Sequence, residues 1–416
     1  MKGSLTARIT GEHVALALVF FTTFQAVFLQ PDETLVPGER TNLFTATCCA
    51  FSLAAVWFFL ERGPRRSREF VVSVALIGVG VLAALASDAT LPSLFRVYAV
   101  LASALGGFWC GRKLLATPDR ARVFAWYCSA LLAGLLVWCL VSVAVTGRIH
   151  SLIVGARSHS LVNTIMLLSF APLALLSERR LKSTLVGAAL LLMGYVVLFY
   201  SRLRSAVLMP PVLACVGAAC GCLKPRHFLL LLLAFLLVAV GFFHVFPKKW
   251  KRITHAAHEE VYYRVESYPF ALSLALEHPL TGVGLRAPRD AYVDAYTPLM
   301  PQIDKRVFRE SLQKIVTSEN IFLSFLSGLG FPFFLLYTGS LAWLLWRCLA
   351  AVRGRPPRPA LPAMALFLPL CAGVVYSMFY DSLFYPQVSW FFHLLLGMIP
   401  SRATPGHGEP PFEPGI

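Results

Sequence analysis

Apolar runs of membrane-spanning length recur along this chain of 416 residues. A helix needs about 20 consecutive apolar residues to cross the hydrocarbon core of a bilayer, because each residue adds about 1.5 Å of length. With 57% hydrophobic and only 14% charged residues, the chain has too few polar side chains to cover a soluble globule. The sequence therefore predicts an all-α membrane protein.

Charged residues and Pro- or Gly-rich breaks divide the apolar sequence into about twelve predicted transmembrane helices. They lie near 14–30, 43–60, 70–86, 91–110, 123–145, 161–176, 183–200, 205–222, 228–246, 320–346, 361–380 and 386–400. The pairs that meet near 87–90, 201–204 and 381–385 are also compatible with re-entrant hairpins. The predicted organisation has helices 1–9 in 1–246, a long polar and partly helical loop in 247–318, helices 10–12 in 319–400, and a disordered tail in 401–416.

The distribution of basic residues predicts the orientation of the chain. With the N-terminus inside, the inner segments hold twenty lysines and arginines, whereas the short outer segments hold five. Basic residues in short loops resist translocation, so both termini are expected in the cytoplasm and the loop 247–318 outside. These inner loops also account for most of the net charge of +16, which favours contact with anionic membrane lipids over binding to nucleic acid.

The first candidate for chemistry is the short outer connection Ser201-Arg202-Leu203-Arg204-Ser205. It places two guanidinium groups at the outer interface, where their planar forks suit phosphate oxygens. The alternative is that both arginines simply extend to the lipid headgroups.

The second candidate lies in the loop. Apolar residues spaced three and four apart predict an amphipathic helix over 258–278 that lies on the bilayer or on the helical bundle. Arg264 falls off this stripe and is free to project toward a site beneath the loop, or to pair with Glu260 one turn earlier. The stripe consists of Val261, Val265, Tyr268, Leu272 and Leu276.

The third candidate is the segment Thr317-Ser318-Glu319-Asn320 before a hydrophobic run. Thr317 or Ser318 is a suitable N-cap, which would leave Glu319 as a carboxylate in the first turn. Alternatively, Glu319 acts as a general base toward an acceptor hydroxyl.

The segment Gly282-Val283-Gly284 lacks the strand and helix of a nucleotide-binding fingerprint, and predicts a tight turn against the membrane.

Three motifs together resemble the bacterial O-antigen ligase and polymerase family. Residues 277–285 (EHPLTGVGL), preceded by Arg264, are similar to the family's stretch in its large periplasmic loop. Residues 320–330 (NIFLSFLSGLG) resemble the start of the family's next span, and residues 204–206 (RSA) resemble its "SRxA" element. One position departs from the pattern, because Glu319 stands where the family has a histidine before the asparagine.

The resemblance implies a membrane glycosyltransferase of the bacterial inner membrane that faces the periplasm. The expected partners are an undecaprenyl-pyrophosphate-linked glycan donor and, for a ligase, a lipid A-core acceptor. Arg204 and Arg264 are the catalytic candidates for the pyrophosphate, and Glu319 for the acceptor hydroxyl. The substrate-binding candidates are Arg202, Asn320, His278 and Arg286.

No cofactor and no metal are expected, because fixed arginines can stabilise a pyrophosphate leaving group and no Asp-rich cluster appears in the outer segments. The closest alternative function is a polysaccharide polymerase of the same family. A secondary transporter or an anion channel is the alternative from another class, since arginines at span ends also select anions. Against transport, the candidate polar residues gather at the outer face rather than near the bilayer midplane.

Overall fold

A computed structural model describes residues 11–28, 67–87, 90–146, 158–178, 180–201, 204–221, 225–245, 268–269, 271–285, 320–354, 360–380 and 382–399. These residues contain helices and turns but no strand. The twelve α-helices with defined bounds are α1 (Gly11–Phe28), α2 (Arg68–Leu85), α3 (Thr90–Leu114), α4 (Pro118–Thr146), α5 (Ser158–Leu168), α6 (Phe170–Leu176), α7 (Leu181–Tyr200), α8 (Arg204–Ala219), α9 (Pro225–Val245), α10 (Ile321–Val352), α11 (Ala363–Ser377) and α12 (Pro386–Gly397). A 3₁₀ helix, Ser382–Phe384, precedes α12, and residues 271–277 form a short additional helix.

The helices confirm the predicted all-α fold. Every predicted span coincides with a helix, except that 161–176 is divided into α5 and α6 and that 43–60 lies outside the described residues. Five helical segments are long and apolar enough to cross a membrane, and they are Arg68–Leu85, Ser93–Leu114, Pro118–Thr146, Leu181–Tyr200 and Ile321–Val352. The chain thus has the features of a multi-pass membrane protein, while the count of twelve spans and the side occupied by each end stay predictions.

Caps and prolines explain where several helices begin. The Ser67 hydroxyl accepts a hydrogen bond from Phe70 N at 3.2 Å and caps α2. Proline is the first residue of α4, α9 and α12, a position where its missing N–H costs no helical hydrogen bond. Between these points the apolar sequence favours helix, because in lipid each backbone polar group must find its partner within the protein.

Helices α3 and α12 form the tightest contact in the bundle. A Cβ atom at Gly107 would overlap the carbonyl of Trp390, and one at Gly111 would overlap the carbonyl of Leu394. Gly397 on α12 meets the carbonyl of Phe108 in the same way. Residue numbers rise together along both helices, so α3 and α12 run parallel, as the predicted topology requires. Small residues let the two backbones approach closely, which is the usual basis of helix association in membranes.

The two ends of the bundle differ in character. At one end α2 finishes and α3 and α10 begin, and residues 279–285 contact α10, the start of α3 and Ser87, which follows α2; we call this the loop end. At the far end Arg112 donates to Glu69 at 3.4 Å and to the carbonyl of Ile399, and Arg347 lies 3.9 Å from the same carboxylate. This buried ion cluster ties α2, α3, α10 and the end of α12 together.

The described part of the loop is helical at 268–269 and 271–277, and the leucines of the predicted stripe lie on its exposed side. Ala271 and Ala275 are buried, whereas Leu272 and Leu276 are 44% and 64% exposed. The small alanines allow the helix to lie close to the bundle, so its leucines point away from the protein, toward lipid in the predicted topology. Tyr268 is half-buried and donates to the carbonyl of Met378 at 3.1 Å, which attaches this helix to the end of α11.

We expect Gly111→Ala to destabilise the protein, because the added methyl group must push α3 away from the carbonyl of Leu394. Overpacking of this kind costs about 1 to 3 kcal/mol. The matched control is Gly78→Ala on α2, where a Cβ atom meets nothing within 4 Å. Thermal unfolding of both purified variants in detergent checks this, and equal stability of the two would contradict the α3–α12 contact.

Candidate functional site

Two segments that are distant in sequence interlock at the loop end through their backbones. Val283 N donates to Ser327 O and Gly284 N donates to Gly328 O, each at 2.9 Å. In the other direction, Phe331 N donates to Pro279 O at 2.8 Å. The turn 278–285 is therefore fixed onto the outer part of α10, and we call this contact the interlock.

Glycine is required on both sides of the interlock. Gly282 has φ of 64°, and a Cβ atom there would lie 2.6 Å from Leu329 N. Gly330 has φ of 75° inside α10, where it kinks the helix, and a Cβ atom would lie 2.6 Å from the carbonyl oxygen of Leu280. Both glycines combine a left-handed conformation with a close backbone approach, which only a residue without a side chain can do at low cost.

The interlock is also attached to the start of α3. Leu285 N donates to Ser93 Oγ at 3.2 Å, and a Cβ atom at Gly284 would lie 2.9 Å from the hydroxyl oxygen of Ser87. The sequence predicted a tight turn at Gly282-Val283-Gly284, and the positive φ angles of both glycines confirm it. The turn packs on α10 and on Ser87 of the α2–α3 connection, and its contact with the membrane stays a prediction.

Asn320, and not Thr317 or Ser318, caps α10. Its side-chain oxygen accepts from Phe322 N at 3.0 Å and from Leu323 N at 3.3 Å, and the residue is buried. The prediction of a Thr or Ser cap was wrong, because the helix begins at Ile321 and the residue directly before it, Asn320, supplies the cap. Glu319 thus precedes the cap in the chain, which removes its interpretation as a first-turn carboxylate.

The predicted site residues fall in and around the interlock to different extents. His278 is exposed at the loop end, and its carbonyl accepts from Gly282 N at 2.9 Å, so its backbone shapes the turn. Arg204 is the first residue of α8, but its side chain is outside the described part of the structure. Four further candidates lie outside the described residues: Arg202, Arg264, Arg286 and Glu319.

The structure adds a cation that the sequence analysis overlooked. The Arg96 guanidinium on α3 lies over the Phe384 ring, 5.7 Å from its centroid. Next to Phe384, the hydroxyls of Tyr380 and Tyr385 are 2.9 Å apart and share a hydrogen bond. The signal in the sequence was a single arginine inside an otherwise apolar run.

Two buried amides form a second feature that the sequence did not indicate. Asn163 of α5 and Gln387 of α12 are 0% and 2% exposed. Among the described residues, neither the side-chain oxygen nor the nitrogen of Asn163 has a hydrogen-bond partner, and the Gln387 side-chain oxygen also lacks one. An unpaired buried polar group costs about 1 to 3 kcal/mol, so these two side chains lower the stability of the bundle.

The residues described here contain no group of three His, Cys, Asp or Glu side chains able to hold a metal ion. The independence of the reaction from metal stays a prediction, because most of the loop is outside the described residues.

Fold and site together define a multi-pass helical membrane protein in which a polar loop segment is locked onto one end of the bundle. A family model described as O-antigen ligase matches residues 175–338, which is less than half of the chain. The match runs from the end of α6 into α10 and includes both interlocked segments. It confirms the resemblance that the motifs predicted, and the family covers O-antigen ligases and polymerases. No curated protein shows a significant match to the chain.

We expect Gly284→Ala to reduce the activity of the protein strongly, because the new methyl group would displace the turn from Ser87. The matched control is Gly354→Ala at the far end, where φ is also positive, at 75°, but a Cβ atom meets nothing within 4 Å. Both changes cost about 1 to 2 kcal/mol of backbone strain, so only the close approach differs between them.

The measurement is surface glycan attachment in cells, normalised to protein abundance in the membrane. Equal activity of the two variants would show that the position of the turn does not matter for function.

Proposed function

We propose that this protein is an O-antigen ligase. It transfers a glycan from undecaprenyl pyrophosphate to a sugar of the lipid A-core acceptor, at the periplasmic face of the inner membrane, without a metal. The observation that carries the proposal is that the interlock joins the two loop-end motifs of the matched family, at 277–285 and 320–330.

The interlock supports this function because it brings together chain segments that carry candidate groups. Arg286 directly follows Leu285, and Glu319 directly precedes Asn320. A site built on backbone contacts to rigid helices holds its groups more precisely than a free loop does. A lipid-linked donor also explains why such a site belongs at a membrane interface.

The proposed reaction is a displacement at the anomeric carbon of the donor sugar. The acceptor hydroxyl oxygen forms a bond to this carbon while the bond from the carbon to the phosphate oxygen breaks. Undecaprenyl pyrophosphate leaves with the electron pair of that bond, and Glu319 takes the proton of the hydroxyl. Arg204 and Arg264, supported by Arg202, stabilise the negative charge that develops on the pyrophosphate.

The remaining candidates are assigned to substrate binding. His278 and Arg286 flank the turn of the interlock in sequence and are placed on the glycan or its pyrophosphate. The Asn320 side-chain oxygen already accepts hydrogen bonds from two backbone N–H groups at the start of α10. We therefore assign the contact with substrate to its amide nitrogen. This division lets one side chain both fix the start of α10 and bind an acceptor sugar.

A polymerase is the second candidate, because the matched family includes both activities. The lipopolysaccharide pattern of a deletion strain tests the choice. We expect loss of all long chains from lipid A-core, with accumulation of lipid-linked polymer. A core that carries single repeats, with no polymer on the carrier, would identify a polymerase and overturn the proposal.

Arg204→Ala and Arg264→Ala are each expected to lower the transfer rate by about 100-fold to 1000-fold, as loss of one preorganised donor does. Lysine at either position should recover only part of the rate, since a point charge lacks the two-pronged fork. The control is Arg122→Ala, which removes an exposed arginine on α4 that pairs with Glu178 at 3.5 Å. Transfer by either test variant at the level of this control, with normal protein abundance, would remove that arginine from the mechanism.

Glu319→Gln is expected to abolish turnover while donor binding persists, because the amide keeps the size of the side chain but cannot accept the proton. Glu319→His should restore part of the activity, with a pH dependence moved toward the range in which histidine titrates. Rates measured from pH 5 to pH 9 on purified protein check both expectations. A fully active glutamine variant would exclude Glu319 as the base.

Transfer is expected to continue in excess EDTA, because the proposed leaving-group stabilisation uses guanidinium groups alone. The measurement is the rate of purified enzyme before and after chelation, with magnesium or manganese added back. Loss of activity in EDTA that either ion reverses would contradict the arginine-only account.

A further inference from the structure

Arg96 occupies an exceptional position in the sequence. Of the 37 lysines and arginines, it is the one that falls within a predicted span, 91–110, while the others lie in predicted loops or at the ends of spans. A charged side chain inside a membrane segment is costly and by default indicates a functional site. Arg96 is half-buried, so part of its side chain is accessible from outside the protein.

The position of Arg96 on α3 relates it directly to the interlock. It follows Ser93 by three residues, so both side chains lie on the same face of the helix, one turn apart. Ser93 is the residue that accepts the hydrogen bond from Leu285 N. Arg96 therefore lies one helical turn further along α3 than Ser93, the contact of Leu285. It is about 9 Å along the helix axis from Thr90, where α3 begins.

Phe384 connects Arg96 to the second interlocked segment. The guanidinium lies 5.7 Å from the centroid of this ring, and the ring meets Phe325 of α10 edge-on with centroids 5.6 Å apart. Phe325 follows the capping residue Asn320 by five positions. A ring face attracts a guanidinium cation that lies over it, so Phe384 helps to hold Arg96 in place.

The helix that carries Arg96 is held rigidly. Gly107 and Gly111 seat α3 directly on the backbone of α12, and Arg112 ties the far end of α3 to Glu69. The bundle thus determines the position of this part of α3 before substrate arrives. Groups on rigid helices lose little entropy on binding.

We propose that Arg96 is a further substrate-contacting residue, which binds the phosphate oxygens of the pyrophosphate on the lipid-linked donor. This inference rests on the proposed function, since it assigns a new contact to the same donor. Arg96 is one helical turn from Ser93, which bonds to Leu285, and it lies over Phe384, which packs on Phe325 of α10. Its planar fork suits two phosphate oxygens. The phosphate of an anionic lipid headgroup offers the same chemistry, so the test must separate the two sources.

The test measures binding of glycan-free undecaprenyl pyrophosphate to the purified protein in phosphatidylcholine nanodiscs, by microscale thermophoresis. We expect Arg96→Gln to bind this probe about 10-fold to 100-fold more weakly than wild type, the range for losing hydrogen bonds to a charged group. Arg122→Gln is the matched control, because it removes an exposed arginine at the far end. A repeat with nanodiscs that contain phosphatidylglycerol shows whether a headgroup competes for Arg96.

The outcomes separate the inference from the function on which it rests. Failure of wild type to bind the probe would contradict the proposed donor, whereas equal binding by wild type and Arg96→Gln would contradict the role of Arg96 alone. If Arg96→Gln does not fold, Arg96→Lys is measured instead, since lysine keeps the charge but lacks the fork. Unchanged affinity of the lysine variant for the probe would overturn the inference. If phosphatidylglycerol abolishes the difference between wild type and variant, Arg96 binds a headgroup and the inference is wrong.

Discussion

The backbone pairing between residues 279–284 and 327–331 is the constraint on which the loop end depends. Three N–H to carbonyl hydrogen bonds join the turn to α10, where the kink at Gly330 and the missing N–H of Pro332 leave helix groups to pair with the turn. Each bond contributes about 0.5 to 1.5 kcal/mol net, but leaving any of these buried groups unpaired would cost more. The turn and the kink in α10 therefore depend on each other.

Charged and polar side chains lie at both ends of the bundle, with a different physical role at each end. At the far end, Glu69 pairs with both Arg112 and Arg347, so the buried ions help to hold α2, α3 and α10 together. At the loop end, Arg96 lies over the Phe384 ring, and neither the Asn163 side chain nor the Gln387 side-chain oxygen has a hydrogen-bond partner among the described residues. This imbalance is expected where a site must receive a polar substrate, since functional sites are where stabilising rules are broken.

The sequence was sufficient for the helices, because long apolar runs leave the backbone few alternatives in lipid. It also predicted a turn at Gly282-Val283-Gly284 from the glycines alone. What that turn packs on could not be predicted, because the pairing with Ser327 and Gly328 joins residues more than forty positions apart. The cap of α10 was missed for a different reason: Ser318 and Asn320 are equally good N-caps, so propensity alone does not choose between them, and the helix begins directly after Asn320.

Arg96 and the buried amides are a second kind of feature that the sequence alone does not predict. Averaging hydropathy over a span hides one arginine among apolar residues, and only its neighbour Phe384, almost 290 positions away, reveals its setting. Likewise, nothing in the sequence around Asn163 indicates that both polar atoms of its side chain lack a partner. Such features belong to the packed bundle and not to any one segment.

Reconstitution with defined substrates tests the central claim most directly. Purified protein in nanodiscs would receive an undecaprenyl-pyrophosphate-linked oligosaccharide and lipid A-core, with the products identified by mass spectrometry. The account predicts lipid A-core heavier by one oligosaccharide, together with an equal amount of free undecaprenyl pyrophosphate. Unchanged lipid A-core alongside a longer lipid-linked glycan, or no transfer at all, would contradict it.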